Sequence, residues 1–300
     1  MAKIGFIGLG NMGAPMAANL VMGGHSVAGF DLAAASCRAA EEAGIRIGGT
    51  AQEVVRDADV VITMLPAGKH VLSVWQEILP SAREGTLFID SSTIDVESAR
   101  GAHRLAEERG LTSLDAPVSG GVGGAKAATL TFMVGGTGAA FEQARPVLEL
   151  MGKRIVHCGE AGAGQAAKIC NNMIAGISMI AVAEAFTLGE KLGLSAQALF
   201  DVASTSSGQC WSLTSYCPVP GPVPNSPANS GYKPGFATAL MLKDLRLAQA
   251  AALASGATTP LGAEAAQLYA LYAAAGNEGQ DFSGIINFLC ASQPKGEPRG

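Results

Sequence analysis

Lys3-Ile-Gly-Phe-Ile-Gly8-Leu-Gly10-Asn-Met-Gly13 sets a short apolar run against a glycine loop, and residues 14–23 beyond it have helical composition. In a strand–loop–helix unit this G-x-G-x-x-G spacing has a mechanical meaning. Gly8 permits the tight turn, Gly10 lets the backbone approach a pyrophosphate, and Gly13 lets helix and strand pack closely. The pyrophosphate then meets free N–H groups at the positive end of the helix dipole. Gly8, Leu9, Gly10, Asn11, Met12 and Gly13 are therefore the expected cofactor loop. Asp31 closes the next β-branched run, where a carboxylate accepts hydrogen bonds from ribose hydroxyls; an ordinary strand-end or helix-capping aspartate is the alternative. Leu32 follows, and no arginine stands beside Asp31 to hold a 2′-phosphate, which favours NAD over NADP.

Outward from this loop, β-branched runs at 3–7, 26–30, 60–64 and 86–90 alternate with Ala-rich helical stretches. Such alternation predicts a parallel sheet with helices on both faces. Runs at 113–118, 130–134 and 155–157 extend the sheet, which ends near Gly159. From Gln165 to Leu192 no proline interrupts a helical apolar spacing, so one long helix is expected. Ala- and Leu-rich stretches at 196–204, 237–254 and 262–275 continue in helix. Residues 217–235 hold six of the 14 prolines and read as a surface loop. The expected fold is α/β: an N-terminal Rossmann doubly wound sheet over 1–162 and a C-terminal all-α domain over 163–300, joined by a long helix at about 165–192.

Composition narrows the function classes. The 300 residues are 48% hydrophobic and 15% charged, too apolar for a disordered chain. Lys and Arg number 20 against 25 Asp and Glu, a formal charge of −5 with no basic block, which sets nucleic acid aside. The longest apolar run, 173–183, is shorter than the roughly 20 residues that span a bilayer; it reads as a buried helix, and no membrane partner is expected. The glycine loop begins too close to the amino end for a signal peptide, so a cytoplasmic location is expected. Six cysteines and four histidines lie scattered without zinc-ligand spacing, which predicts reduced, mostly buried thiols and no metal site.

Further candidates lie at strand ends, the ligand-binding edge of an open α/β sheet. Met64-Leu65-Pro66 closes one strand and Asp90-Ser-Ser-Thr93 the next; Ser92 and Thr93 read equally as cofactor contacts or as caps of a helix over 96–109. In Asp115–Ala125, four glycines and a serine at a strand end offer backbone N–H groups in a turn suited to a carboxylate or phosphate, with a flexible turn as the alternative. Lys168 and Asn172, spaced i, i+4, share a face of the long helix, with Asn171 pointing elsewhere. That lysine is either solvated or the base of a site.

Taken in order, Gly8–Gly13 with Pro15-Met16, Met64-Leu65-Pro66, Asp90–Thr93, Asp115–Ala125, Gly164–Asn172 and Lys243-Asp244-Leu245 make the chain resemble the β-hydroxyacid dehydrogenase family along nearly its whole length. The resemblance implies oxidation of a short β-hydroxy acid with NAD, 3-hydroxyisobutyrate first, as a step of valine breakdown. L-serine or tartronate semialdehyde chemistry is the alternative, and a non-catalytic dinucleotide-binding module a more distant one. It implies Lys168 as the catalytic lysine, Asn172 as a substrate ligand, and Ser119, Gly120 and Gly121 as the substrate-carboxylate loop. Leu65, Pro66 and Thr93 would touch cofactor, and Lys243 both nicotinamide and substrate. His70 is placed at the cofactor or in solvent, Trp211 in the substrate wall or the core. The helical domain would build contacts of a homodimer or homotetramer. A lysine base at neutral pH requires an amine made less basic by burial or by a neighbouring cation.

Overall fold

The computed structural model describes residues 1–291. The chain divides into two compact units, Met1–Lys168 and the residues from Ile169 onward. In the first unit the order is β1 (Lys3–Ile7), α1 (Gly13–Met22), β2 (Ser26–Phe30), α2 (Ala34–Glu42), β3 (Arg46–Ile47), α3 (Ala51–Val55), β4 (Val60–Thr63), α4 (Gly68–Ile78), β5 (Leu87–Asp90), α5 (Val96–Glu107), β6 (Thr112–Asp115), β7 (Val118–Ser119), α6 (Gly121–Lys126), β8 (Leu130–Gly135), α7 (Gly138–Leu148) and β9 (Gly152–Gly159). Then α8 (Ala163–Lys191) begins, and α9 (Ala196–Ala203), α10 (Trp211–Thr214), α11 (Thr238–Ser255), α12 (Pro260–Tyr272) and α13 (Ile285–Ala291) follow.

The nine-stranded sheet runs β3-β2-β1-β4-β5-β6-β8-β7, with β9 beside β8. Strand order reverses between β1 and β4, so their carboxyl ends open a crevice of the kind that binds dinucleotides. Both faces are apolar because both are covered. Ile4, Phe6 and Leu114 join Met16, Leu20, Phe141 and Leu148 in one core, while Ile7, Val61 and Phe88 join Val55, Val71, Trp75 and Ala102 in the other. This is the predicted doubly wound sheet.

Two details differ from the sequence reading. The run at 113–118 is two strands, β6 and β7: the Ala116 N–H still bonds the Asp90 carbonyl of neighbouring β5, but Pro117 has no N–H to give a ladder. Strand β8 lies antiparallel to both, in register Asp115↔Gly135 and Val118↔Phe132, while β9 is parallel to β8.

The second unit is helical. Met179, Ala183 and Phe186 of α8 share a core with Met241, Leu245, Tyr269, Tyr272 and Phe282. By length and composition α8 is apolar enough to cross a bilayer, yet this face serves as protein core, and the opposite one leaves Ile174 and Leu188 exposed. The buried-helix expectation for 173–183 thus holds for one face only. The proline-rich segment forms no α-helix, but Pro227–Ser230 makes a 3₁₀ turn. All six cysteines are free thiols; only Cys217 is buried, so the expectation of mostly buried thiols fails.

Candidate active site

Gly8 leaves β1 with φ +95°, and a Cβ there would lie 2.2 Å from the Met64 carbonyl oxygen; at Gly13 a Cβ would lie 1.9 Å from the Gly8 carbonyl oxygen. The protein's own packing demands both glycines. Gly10 is different. A Cβ built there meets nothing within 4 Å, and its φ lies outside the left-handed range. Open space before a backbone that needs no glycine for itself is what a closely approaching pyrophosphate requires, so the residues present fit a dinucleotide.

Asp31 has a second job beside any ribose. Its Oδ2 accepts from the Leu9 N–H at 2.7 Å and its Oδ1 from the Ala33 N–H at 2.7 Å. The carboxylate ties the glycine loop to the end of β2 and keeps lone pairs for hydroxyl donors. Leu9 buries its side chain in the core beneath the loop, while Asn11 and Met12 lead into α1.

The next strand ends are joined through Asp90. Its Oδ1 accepts from Thr63 Oγ1 at 2.7 Å and Ser92 Oγ at 2.6 Å, while Ser92 Oγ accepts from the Leu65 N–H at 2.7 Å. Burial pushes the Asp90 carboxyl up to about 6, against the lowering effect of the Ser92 and Thr63 hydrogen bonds, with neighbouring Asp115 raising it further. Ser92 and Thr93 do not cap α5; Asp95 does, accepting from the Ser98 N–H at 2.7 Å. Leu65 and Thr93 are half-buried, and Pro66 and His70 are exposed.

Asp115 clamps the start of α8. Its Oδ1 accepts from the Gly162 N–H and its Oδ2 from the Gln165 N–H, each at 2.8 Å, and Oδ1 also pairs with His103 Nε2 at 3.0 Å. The Gln165 amide donates to the Ser92 carbonyl at 2.7 Å and accepts from the Ile94 N–H at 3.1 Å. A Cβ at Gly164 would sit 2.3 Å from the Met133 carbonyl oxygen, so the helix starts in contact with the sheet. Lys168, one turn on, is buried. In the same unit, Ser119 ends β7, and Gly120 and Gly121 follow with φ of +132° and +60°, a backbone suited to glycine. Asn19 Nδ2 donates to the Ala125 carbonyl at 2.7 Å and ties α1 to α6 behind that turn.

In the second unit Asn172 is buried and donates from Nδ2 to Asp244 Oδ2 at 2.5 Å. Asn171 does not turn away, as expected of it, but donates to Asn172 Oδ1 at 3.0 Å. Lys243 Nζ stands 3.6 Å from Asp244 Oδ1. Trp211 is 51% exposed, which removes the core alternative, and stacks on Tyr216 at 4.7 Å. The Tyr216 hydroxyl donates to Asp281 Oδ2, which also accepts from the Gly235 and Phe236 N–H groups and so fastens both ends of the proline-rich segment. Burial, with the Asp281 carboxylate beside it, holds the Tyr216 phenol well above its ordinary range.

Sequence reasoning missed the structural work of Asp90, Asp115, Gln165, Asp244 and Asp281. A usable signal existed for two of them: Asp90 and Asp115 are the last residues of parallel strands, at the ligand edge.

Residues 3–159 match the family model of the NAD binding domain of 6-phosphogluconate dehydrogenase, and residues 162–289 match that of the NAD-binding region of NADP-dependent 3-hydroxyisobutyrate dehydrogenase. A probable 3-hydroxyisobutyrate dehydrogenase of Mycobacterium tuberculosis is 58% identical over 97% of this chain and 99% of its own. An NAD-dependent L-serine dehydrogenase of Pseudomonas aeruginosa is 48% identical over 98% and 99%. The structure of Mycobacterium tuberculosis 3-hydroxyisobutyrate dehydrogenase with L-serine superposes with a TM-score of 0.94, covering 96% of this chain and 99% of that one at 58% identity. With matches running through both units and with a glycine loop shaped for a dinucleotide, the chain belongs to the β-hydroxyacid dehydrogenase family.

Proposed function

We propose that this chain oxidises 3-hydroxyisobutyrate to methylmalonate semialdehyde, a step of valine breakdown, with Lys168 as general base and NAD as acceptor. The nicotinamide, when bound, supplies the hydride chemistry. The chain's own task is to remove a proton and hold the acid in place. As hydrogen departs the hydroxyl-bearing carbon with the C–H electron pair, bound for the NAD acceptor, the hydroxyl proton passes to the neutral Lys168 Nζ and the freed O–H pair makes the C–O bond a carbonyl. In the reverse direction the protonated amine polarises that carbonyl and returns the proton. The N–H groups of Gly120 and Gly121 and the Ser119 hydroxyl hold the carboxylate. Asn172, Lys243 and Trp211 are assigned to the substrate by their motif positions. The glycine loop, Asp31, Leu65, Pro66, His70 and Thr93 are assigned to the coenzyme.

The observation that supports this reading best is Lys168 itself. A buried lysine sits one turn beyond a helix start that Asp115 and Gln165 clamp to the strand ends. A base in this role must present its amine in the neutral form. Lys168→Ala should bind NADH as the wild type does while turnover falls by about 10²–10⁴. Turnover near wild type would sink the assignment. L-serine is the second reading, supported by the L-serine dehydrogenase relative, and kcat/KM for the two acids decides between them.

The family model for residues 162–289 carries the description NADP-dependent, yet Asp31 and the absence of a neighbouring arginine favour NAD. Six free thiols fit a reducing cytoplasm. Exposed Leu192, Val202, Leu253, Leu261 and Leu271 on the helical unit support a homodimer or homotetramer.

A further inference from the structure

The structure assigns Asp90 the part of a positioning residue, one buried carboxylate oxygen that locks together the strand-end loops 64–66 and 91–93 for the coenzyme. This rests on the coenzyme reading of those loops given above. The direction of every proton in the network is set by its outer members. Trp75 Nε1 has only a proton to offer and gives it to Thr63 Oγ1 at 3.2 Å, so the Thr63 hydroxyl must donate onward, to Asp90 Oδ1. The Leu65 N–H gives its proton to Ser92 Oγ, so that hydroxyl too must donate onward, to the same oxygen. The Ser92 N–H adds a third donor at 3.3 Å. Indole, threonine, serine and the backbone of the 64–66 loop all converge on one acceptor.

The other oxygen shows what this arrangement costs. Asp90 Oδ2 is buried with no hydrogen-bond partner, and Asp90 is only 2% exposed. The register Thr63↔Asp90↔Asp115 places a second acid on the same face, so the neighbouring charge repels rather than compensates. His103 of α5 is bonded to Asp115, while Thr63 of β4 and Ser92, which bond Asp90, and Trp75 of α4, which bonds Thr63, do not titrate. Folding alone gains nothing from a charge here, because an amide of the same shape would fit with less desolvation. A fully ionised acceptor, on the other hand, holds hydroxyl donors more strongly than an amide does.

Stability and coenzyme affinity should therefore move in opposite directions in Asp90→Asn. At pH 7.5 its Tm in the absence of coenzyme should exceed that of the wild type, while the Kd for NADH by calorimetry and the KM for NAD rise about tenfold. Thr63→Val removes one donor without touching the charge, leaves the Trp75 N–H without its acceptor, and should lose affinity while also losing Tm. Wild-type NADH affinity should fall as the pH drops through about 6, and Asp90→Asn should not show that fall. Unchanged NADH affinity in both variants, or a lower Tm in Asp90→Asn, overturns the assignment. A wild-type protein that binds no NADH overturns the coenzyme reading itself and this inference with it.

Discussion

Gly10→Ala separates a glycine needed by a ligand from one needed by the fold. A Cβ at position 10 meets nothing within 4 Å, whereas at position 13 it lies 1.9 Å from the Gly8 carbonyl oxygen. In a compatible conformation, Gly→Ala stabilises a protein by about 0.4–1 kcal/mol, because the unfolded chain loses freedom. At about 2–4 °C per kcal/mol for a protein of this size class, Gly10→Ala should raise Tm by about 1–4 °C. Gly13→Ala must push α1 off β1 and should cost about 1–3 kcal/mol or more, with Tm falling accordingly. Binding should reverse the order of harm. The methyl of Gly10→Ala stands where the backbone meets the pyrophosphate, and the loss of one hydrogen bond to a charged group is worth about 1.5–3 kcal/mol, or roughly ten- to hundredfold in Kd. Thermal melting without coenzyme and NADH titration by calorimetry read the two effects apart. A Gly10→Ala protein that keeps wild-type NADH affinity would falsify the pyrophosphate cradle, and one that melts lower would show that the open space is not open.

Asp31→Ala removes the acceptor of the Leu9 and Ala33 N–H groups, so NAD binding should weaken and the ratio of kcat/KM for NAD over NADP should narrow; an unchanged ratio rules out the ribose contact. Asp281→Ala removes the shared acceptor of the half-buried Tyr216 hydroxyl and of the Gly235 and Phe236 N–H groups, and urea unfolding should show a loss of about 3 kcal/mol. A loss under about 1 kcal/mol would mean that the proline-rich segment holds itself. Asp90 gives the wild type a pH signature of its own. Its carboxyl is raised from 3.8 to about 6 in the folded protein, so the cost of burying the charge is fully present above about 6 and absent below about 3.8. That difference amounts to about 3 kcal/mol, so the stability gap between Asp90→Asn and wild type should be widest at pH 7.5 and should close as the pH falls toward 4.

What could be read without coordinates depended on whether the controlling interaction is local in sequence. The glycine loop, the β-branched runs and the long helix without proline carry their own period or spacing, and the sheet and helices follow from them. Strands of two residues, Arg46–Ile47 and Val118–Ser119, have no period to detect. The direction of β8 was equally hidden, since alternation marks a strand without saying which way it runs. The clue lay in the connection: only the short α6 stands between β7 and β8, too little chain for a parallel crossover, which takes a dozen residues or more.

The same rule divides the site. Ser92 reads equally as a cofactor contact or a helix cap because a hydroxyl shortly before a helix is often one, yet Asp95 stands nearer the helix and takes the cap, which frees Ser92 for Asp90 and Leu65. The buried acids make their decisive bonds far along the chain: Asp90 to Thr63 across 27 residues, Asp115 to Gln165 across 50, Asp281 to Gly235 across 46 and Asp244 to Asn172 across 72. No local pattern encodes such a partner. An acid closing a predicted parallel strand is nevertheless a physical signal, because the strand's carboxyl end is the ligand edge and burying a charge there is expensive. Asp90 and Asp115 both sit at that point, and each holds a loop or helix start in place where a neutral residue would be easier to bury. Position and cost together mark such residues as organisers of the site rather than of the core.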